Sequence, residues 1–148
     1  MKVAAVTPKI RVADTRYNAK VICLAIKEAA EAGAKAIVLP ELCITGYTCG
    51  DLFLQEKLLR EAKHELLHIA ALTMGVDAIV FVGLPLAYKG KLCNVAAALN
   101  HGKILGIVPK TYLPNYNEFY EARHFTRGME EVVDVRLTEE LTVPMGTR

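Results

Sequence analysis

The apolar positions of the chain alternate between short continuous runs and stretches spaced for one face of a helix. Residues 3–6 form an apolar run that ends at a Thr-Pro pair, which predicts a buried strand. A helical spacing follows, with Asp14 or Thr15 as the capping residue and Gly33 as the stop. A second apolar run occupies residues 36–39 and ends at a proline. Strand, helix and strand in this order predict a βαβ unit with parallel strands.

The rest of the chain predicts a second helix, further strands and two irregular segments. The helix extends from about Asp51 to Thr73. Residues 41–50 are loop-like, and residues 109–128 are polar, aromatic and without a period. A long irregular segment is unusual in a compact domain and favours a functional loop. Strands are predicted at residues 78–83, at 95–99 and 103–108 as the arms of a β-hairpin, at 132–137, and from Leu141 onward.

Composition excludes several classes of protein. The 148 residues suit one domain, and 18 basic against 16 acidic residues leave a net charge of only +2, so neither nucleic acid nor an anionic membrane is expected as a partner. The chain has no membrane-spanning run, and its first apolar run is too short for a signal peptide. Reduced, mostly buried thiols in a cytoplasmic protein are therefore expected. The cysteines, which form no CxxC pair, are Cys23, Cys43, Cys49 and Cys93.

Two charged residues directly follow predicted strands. Glu41 follows the run that ends in Leu-Pro, and Lys110 follows the second arm of the hairpin. The carboxyl ends of strands are where open α/β sheets place their ligands. Taken alone, each residue is more typical of a solvated surface group. Their surroundings, LPELCITGY around Glu41 and PKTYLP around Lys110, change that balance.

These two segments resemble the signature segments of the nitrilase, or carbon-nitrogen hydrolase, superfamily. The resemblance covers the whole chain, in the order strand, helix, strand, Glu, helix, strand, hairpin, Lys. It implies an α/β fold of the nitrilase type, a four-layer α-β-β-α sandwich, of which residues 1–148 form an incomplete N-terminal portion. It also implies a Glu-Lys-Cys triad, with Glu41 as general base and Lys110 as its cationic member.

Within the superfamily, GYTCGDLF at 46–53 and KTYLPNYNEFYEARHF at 110–125 resemble the glutaminase domains of the glutamine-dependent NAD synthetase family. By that resemblance, Glu121 is a second glutamate that binds substrate or holds the triad in place, with Glu118 as a weaker candidate for the same role. Three aromatic residues match positions that line a glutamine pocket: Tyr47, Tyr116 and Phe119.

The resemblance implies hydrolysis of the glutamine side-chain amide, with the ammonia passed to a synthetase domain that amidates deamido-NAD. No cofactor is expected for the hydrolase domain, and ATP and Mg are expected only in the synthetase domain, which these 148 residues do not contain. A homo-oligomer is expected by analogy. The family's nucleophilic cysteine is expected beyond Arg148, so the chain alone is predicted to be inactive. Cys43 and Cys49 are interpreted as loop or core residues.

Three alternatives are open. A stand-alone aliphatic amidase or carbamoylase would use the same triad on another substrate. His64-Glu65-Leu-Leu-His68 is an HExxH sequence, the spacing of zinc hydrolases, but both histidines are predicted on the solvated face of their helix. No third zinc ligand stands out, so no metal is expected. A binding or assembly module without catalytic activity is the third alternative.

Overall fold

The computed structural model describes all residues from Met1 to Arg148 as a seven-stranded mixed sheet with helices. The strands lie in the order β1-β2-β3-β4-β5-β7-β6. They span Val3–Ala5 (β1), Ala36–Val38 (β2), Ile79–Tyr88 (β3), Lys91–Asn100 (β4), Lys103–Pro109 (β5), Val133–Arg136 (β6) and Thr142–Met145 (β7). The α-helices span Thr15–Glu31 (α1), Glu56–Leu72 (α2) and Glu121–His124 (α3).

The first β1-α1-β2 unit agrees with the prediction. β1 and β2 pair in parallel, with Val3 opposite Ala36. The side chain of Asp14 caps α1 by accepting a hydrogen bond from the backbone N–H of Tyr17 at 3.1 Å. Gly33 follows the helix with φ +87°, a backbone conformation that a residue with a Cβ adopts only at a cost. The helix boundaries were therefore readable from local sequence.

A helical layer packs against the sheet and encloses the main core. α1 and α2 pack against each other. Their apolar faces join the inward-facing strand side chains in one buried cluster. Each fully buried aliphatic side chain contributes about 1.5–3 kcal/mol to folding. The fully buried members include Ile22, Ile26, Leu66, Ile69, Ile37, Val80, Val82 and Leu99.

The predicted second helix begins too early. Gly50–Leu54 form a 3-10 turn, Gln55 is extended at φ −84° and ψ 118°, and α2 starts only at Glu56. The cause is a tertiary contact, because the ring of Phe53 packs edge-to-face on Phe125 at a centroid distance of 4.9 Å. A continuous helix would carry Phe53 in a different direction.

The hairpin between β3 and β4 was not predicted. Both strands are longer than their apolar runs indicated and meet at a turn in which Lys89 and Gly90 have positive φ. The arms predicted at 95–99 and 103–108 are present, with a β-bulge between Ala98 and Leu99. Strands also lie within 132–137 and after Leu141, as predicted.

One face of the sheet carries the helices, and the other exposes apolar side chains. Val38, Leu105 and Val108 are among the exposed large hydrophobic residues. One sheet and one helical layer match the α/β class, and the four-layer sandwich remains a prediction. All four cysteines are free and buried, as predicted. None of the helices is long and apolar enough to cross a membrane.

Candidate active site

Loops that follow β2 and β5 bring together four of the predicted site residues. The Lys110 ammonium lies 2.7 Å from Oε1 of Glu41 and 2.9 Å from Oε1 of Glu121. The Tyr47 hydroxyl donates to the same Glu121 oxygen at 2.8 Å. Residues far apart in the chain thus form one connected polar cluster, which we call the Glu-Lys-Glu cluster. It consists of Glu41, Lys110, Glu121 and Tyr47.

The two carboxylates of the cluster differ in burial. Glu121 keeps only 4% of its side chain exposed, whereas Glu41 keeps 41% and Lys110 keeps 30%. Partial burial by itself would lower the pKa of the Lys110 ammonium. The hydrogen bonds to Glu41 and Glu121 and their negative charges outweigh that effect, so the pKa of Lys110 is raised. The lysine is therefore a fixed cation at neutral pH.

Tyr47 remains a hydrogen-bond donor. Desolvation, the hydrogen bond to Glu121 and the charges of both glutamates raise the pKa of its hydroxyl. Both Tyr47 and Lys110 use Oε1 of Glu121, and its Oε2 is buried without a hydrogen-bond partner. A buried carboxylate oxygen without a partner carries a desolvation penalty of about 1–3 kcal/mol. The Lys110 ammonium is the charge that compensates Glu121.

Asn94 is a member of the site that sequence reasoning missed. It is buried in β4, and its side-chain amide donates to Oε1 of Glu41. Its backbone carbonyl accepts from the backbone N–H of Lys110 at 2.8 Å. Asn94 therefore contacts both residues of the predicted Glu-Lys pair. The available signal was a single asparagine inside the apolar run LCNVAAAL.

The predicted aromatic residues lie beside the cluster. Phe119 packs edge-to-face on Tyr47 at 6.5 Å and on Tyr116 at 5.6 Å between ring centroids. Tyr116 is exposed, and its hydroxyl does not bond to the cluster. Glu118 is also exposed and makes no ion pair, which favours Glu121 over it as the second glutamate.

Two cavities border the cluster. The first, about 320 Å³, is lined by Glu41, Asn94 and Lys110 together with apolar side chains of the uncovered sheet face. The second, about 210 Å³, is lined by residues that include Tyr47 and Glu121. A mostly apolar cleft with a few convergent polar groups is typical of a small-molecule site. Glu41 and Lys110 face the larger one.

Neither nearby cysteine is an activated nucleophile. The Cys43 thiol points to the carbonyl of Gly83 at 3.6 Å, and the Cys49 thiol to that of Thr45 at 3.2 Å. Burial raises the pKa of Cys43 to about 12 and also raises that of Cys49. Both thiols stay protonated at neutral pH, and only a thiolate attacks efficiently. Among the residues present, the cluster offers a base and a cation without a nucleophile.

The HExxH sequence does not form a metal centre. The side chains of His64 and His68 are 78% and 62% exposed, on the solvated face as predicted. Glu65 is buried between them, with its carboxylate 3.6 Å and 3.3 Å from the two rings. No three His, Cys, Asp or Glu side chains are grouped so that they could hold a metal ion.

The fold and the residues of the cluster are those of a known protein family. The profile of the carbon-nitrogen hydrolase family matches residues 2–147, and the chain belongs to that family. It is 33% identical over 146 residues to the glutamine-dependent NAD(+) synthetase of Mycobacterium leprae, covering 99% of this chain and 21% of that protein. The chain therefore spans about a fifth of the length of that relative.

Solved structures agree with this assignment. A crystal structure of a glutamine-dependent NAD(+) synthetase from Cytophaga hutchinsonii superposes with a TM-score of 0.90 at 32% identity, over 97% of this chain and 24% of that one. An amidase from Nesterenkonia sp. superposes with a TM-score of 0.73 at 23% identity, over 92% of this chain and 51% of that one. The second likeness concerns the fold alone.

Proposed function

We propose that the chain is the N-terminal part of a glutamine-hydrolysing domain that supplies ammonia for NAD synthesis. The observation that carries the proposal is the Lys110 ammonium, held between Glu41 at 2.7 Å and Glu121 at 2.9 Å beside an apolar cleft. Amide hydrolysis needs a base and a fixed positive charge near the carbonyl oxygen, and this geometry provides both. Relatives named as glutamine-dependent NAD synthetases support the choice of substrate.

The residues of the cluster suit a covalent mechanism. Glu41 takes the proton of a cysteine thiol, and the thiolate attacks the side-chain amide carbon of glutamine. Lys110 stabilises the oxyanion, and Glu41 returns the proton to the nitrogen, which leaves as ammonia. Water, deprotonated by Glu41, then attacks the thioester and releases glutamate and the thiol. We propose that the thiol belongs to a part of the same domain outside these 148 residues.

The aromatic residues next to the cluster are assigned to the substrate pocket. Phe119 packs between Tyr47 and Tyr116, and Tyr47 also bonds to Glu121. We assign these four residues to binding the glutamine chain, with Glu121 also holding Lys110. A separate synthetase domain would use ATP and Mg and receive the ammonia, in a cytoplasmic protein that assembles as a homo-oligomer.

Two measurements test the proposal, one on the gene and one on its full product. The first reads the coding sequence past codon 148, where we expect an apolar strand that ends in a cysteine and then a synthetase domain. The second compares NAD formation from glutamine with NAD formation from added ammonia. Glu41→Gln and Lys110→Met are each expected to slow NAD formation from glutamine by about 10²-fold or more and to leave NAD formation from ammonia intact.

Controls separate the alternatives. His64→Ala removes the first histidine of the HExxH sequence and is expected to leave both reactions unchanged. The side chain is exposed and is not grouped with other residues that could hold a metal ion. Turnover of aliphatic amides or carbamoyl compounds in place of glutamine would assign the site to an amidase or carbamoylase. A glutamine reaction that survives both Glu41→Gln and Lys110→Met would refute the proposed roles.

A further inference from the structure

The turn that carries Glu41 rests directly on a glycine of the neighbouring strand. A Cβ added to Gly83 in β3 would lie 2.5 Å from the backbone nitrogen of Leu42 and 2.8 Å from the carbonyl oxygen of Pro40. The turn is further fixed by a hydrogen bond from the Ile44 N–H to the Gly83 carbonyl at 3.2 Å. Leu42 has φ +53°, an uncommon value for a residue with a side chain.

The segment that carries Lys110 rests on a second glycine in the same manner. A Cβ on Gly128 would lie 2.7 Å from the carbonyl oxygen of Pro109 and 2.9 Å from its Cβ. The Gly128 N–H donates to the Lys110 carbonyl at 2.9 Å. Neither Gly83 nor Gly128 has a positive φ. Both positions therefore require glycine for space and not for backbone freedom.

We propose that Gly83 and Gly128 are positioning residues, which set the separation between the Glu41 carboxylate and the Lys110 ammonium. The geometric part of this proposal is independent of the reaction, and its catalytic meaning rests on the proposed function. Each glycine touches the backbone within one residue of a charged member of the cluster. An added methyl group would meet only backbone atoms at Gly83, and the carbonyl and rigid ring of Pro109 at Gly128, so no flexible side chain can absorb it.

The expected displacement is large on the scale of the site. An ordinary Cβ contact begins at 3.4 Å, so the 2.5 Å and 2.7 Å contacts require shifts of about 0.9 Å and 0.7 Å. Charge-assisted hydrogen bonds lie at about 2.7–2.9 Å. The Glu41–Lys110 contact of 2.7 Å would lengthen beyond that range if the turn moved away. A misplacement of about 1 Å in an active site costs on the order of 10²-fold in rate.

Two other glycines provide matched controls. Gly146 is also crowded, though less tightly, with an added Cβ 2.9 Å from Val132 Cα and 3.0 Å from the Glu131 carbonyl oxygen, and these neighbours directly precede β6 instead of adjoining Glu41 or Lys110. Gly75, at the end of the helical layer, has nothing within 4 Å. Gly146→Ala reports the general effect of crowding, and Gly75→Ala reports the effect of the alanine itself.

The experiment follows the side-chain ammonium of Lys110 by NMR titration, with its signal assigned by its loss in Lys110→Met. Because the carboxylates raise the pKa of Lys110, separating Glu41 from it lowers that value. We expect Gly83→Ala and Gly128→Ala each to shift the titration midpoint downward relative to the wild type. Gly146→Ala and Gly75→Ala should leave it in place. In the full gene product, kcat for glutamine should fall by about 10²-fold with KM little changed.

The outcomes are decisive because the titration does not depend on catalysis. An unchanged Lys110 midpoint in both folded glycine variants would overturn the proposal, whatever the enzyme's activity. The midpoint of Lys110 could shift downward in the glycine variants while the wild-type full gene product does not hydrolyse glutamine. That result would keep the positioning role and refute the proposed function. If one variant does not fold, the other carries the test. If neither folds while Gly146→Ala does, the glycines serve the fold alone and the proposal is wrong.

Discussion

Replacing Lys110 by methionine should destabilise the protein chiefly through Glu121. Methionine matches the apolar stem of lysine as far as Cε, with sulfur at the δ position, and lacks the ammonium. Glu41, with 41% of its side chain exposed, can turn to water when the cation is lost. Glu121, with 4% exposed, stays buried with one donor, Tyr47, and an oxygen that already has no partner. The variant therefore leaves a buried charge without compensation.

The magnitude follows from this difference in burial. Removing one partner of a buried ion pair costs about 3–5 kcal/mol, because the other charge stays desolvated. Lys110 is 30% exposed, so water partly screens the pair, and we expect a loss of about 2–3 kcal/mol. For a chain of this size, that corresponds to a decrease in Tm of about 5–10 °C. The exposed Lys110–Glu41 pair adds about 0.5 kcal/mol or less.

A double-mutant cycle isolates the two pairs. Unfolding in urea at pH 7 gives the free energy of unfolding, with equal m-values required for the comparison. Adding Glu121→Gln to Lys110→Met should recover about 1–2 kcal/mol, because the amide keeps the shape of the carboxylate without its charge. Adding Glu41→Gln should recover little. Equal recovery by both substitutions, or a loss below about 1 kcal/mol for Lys110→Met, would refute the reasoning.

Three further predictions concern the surroundings of the site. Asp51 accepts hydrogen bonds from His124 and Arg123, which lower its pKa, so its contribution to stability is present above about pH 4 and is lost as the pH falls through the lowered value. Asp51→Asn should therefore be less stable than the wild type above about pH 4 and converge with it at lower pH in urea unfolding series. Tyr47→Phe should cost about 1–2 kcal/mol in the same assay, because a buried carboxylate loses a donor. Ile26→Ala should cost about 2–5 kcal/mol, measured as a lower thermal midpoint, since Ile26 is fully buried.

The elements that were predictable from sequence are those with local determinants. A capping aspartate, a one-face apolar spacing and a terminal glycine define α1 without help from the rest of the chain. The start of α2 was misplaced because the Phe53–Phe125 contact, which joins distant segments, decides it. The β3–β4 hairpin was missed because Pro85 lies in β3, opposite Asn94, and a proline argues against a central strand.

The residues of the site also differ in whether local sequence identifies them. The place of Glu41 and Lys110 in the cluster was predictable because each follows an apolar strand inside a recognisable segment. Asn94 and the two positioning glycines have no such segment, since their importance arises from which backbone lies across from them. A glycine or an asparagine is visible in the sequence, but its neighbours are not. The close approach of β3 to the Glu41 turn exists only after the sheet has formed.

Burial also explains why two carboxylates next to one lysine need not have equivalent roles. Glu41 lines the larger cleft and remains partly solvated, so it can exchange a proton with a molecule bound there. Glu121 lies behind the lysine, and its Oε1 is occupied by Lys110 and Tyr47. Two carboxylates and one ammonium give the cluster a net negative charge, which keeps Lys110 protonated. Under the proposed function, Lys110 stabilises the oxyanion while Glu41 moves the proton, and Glu121 fixes the position from which Lys110 acts.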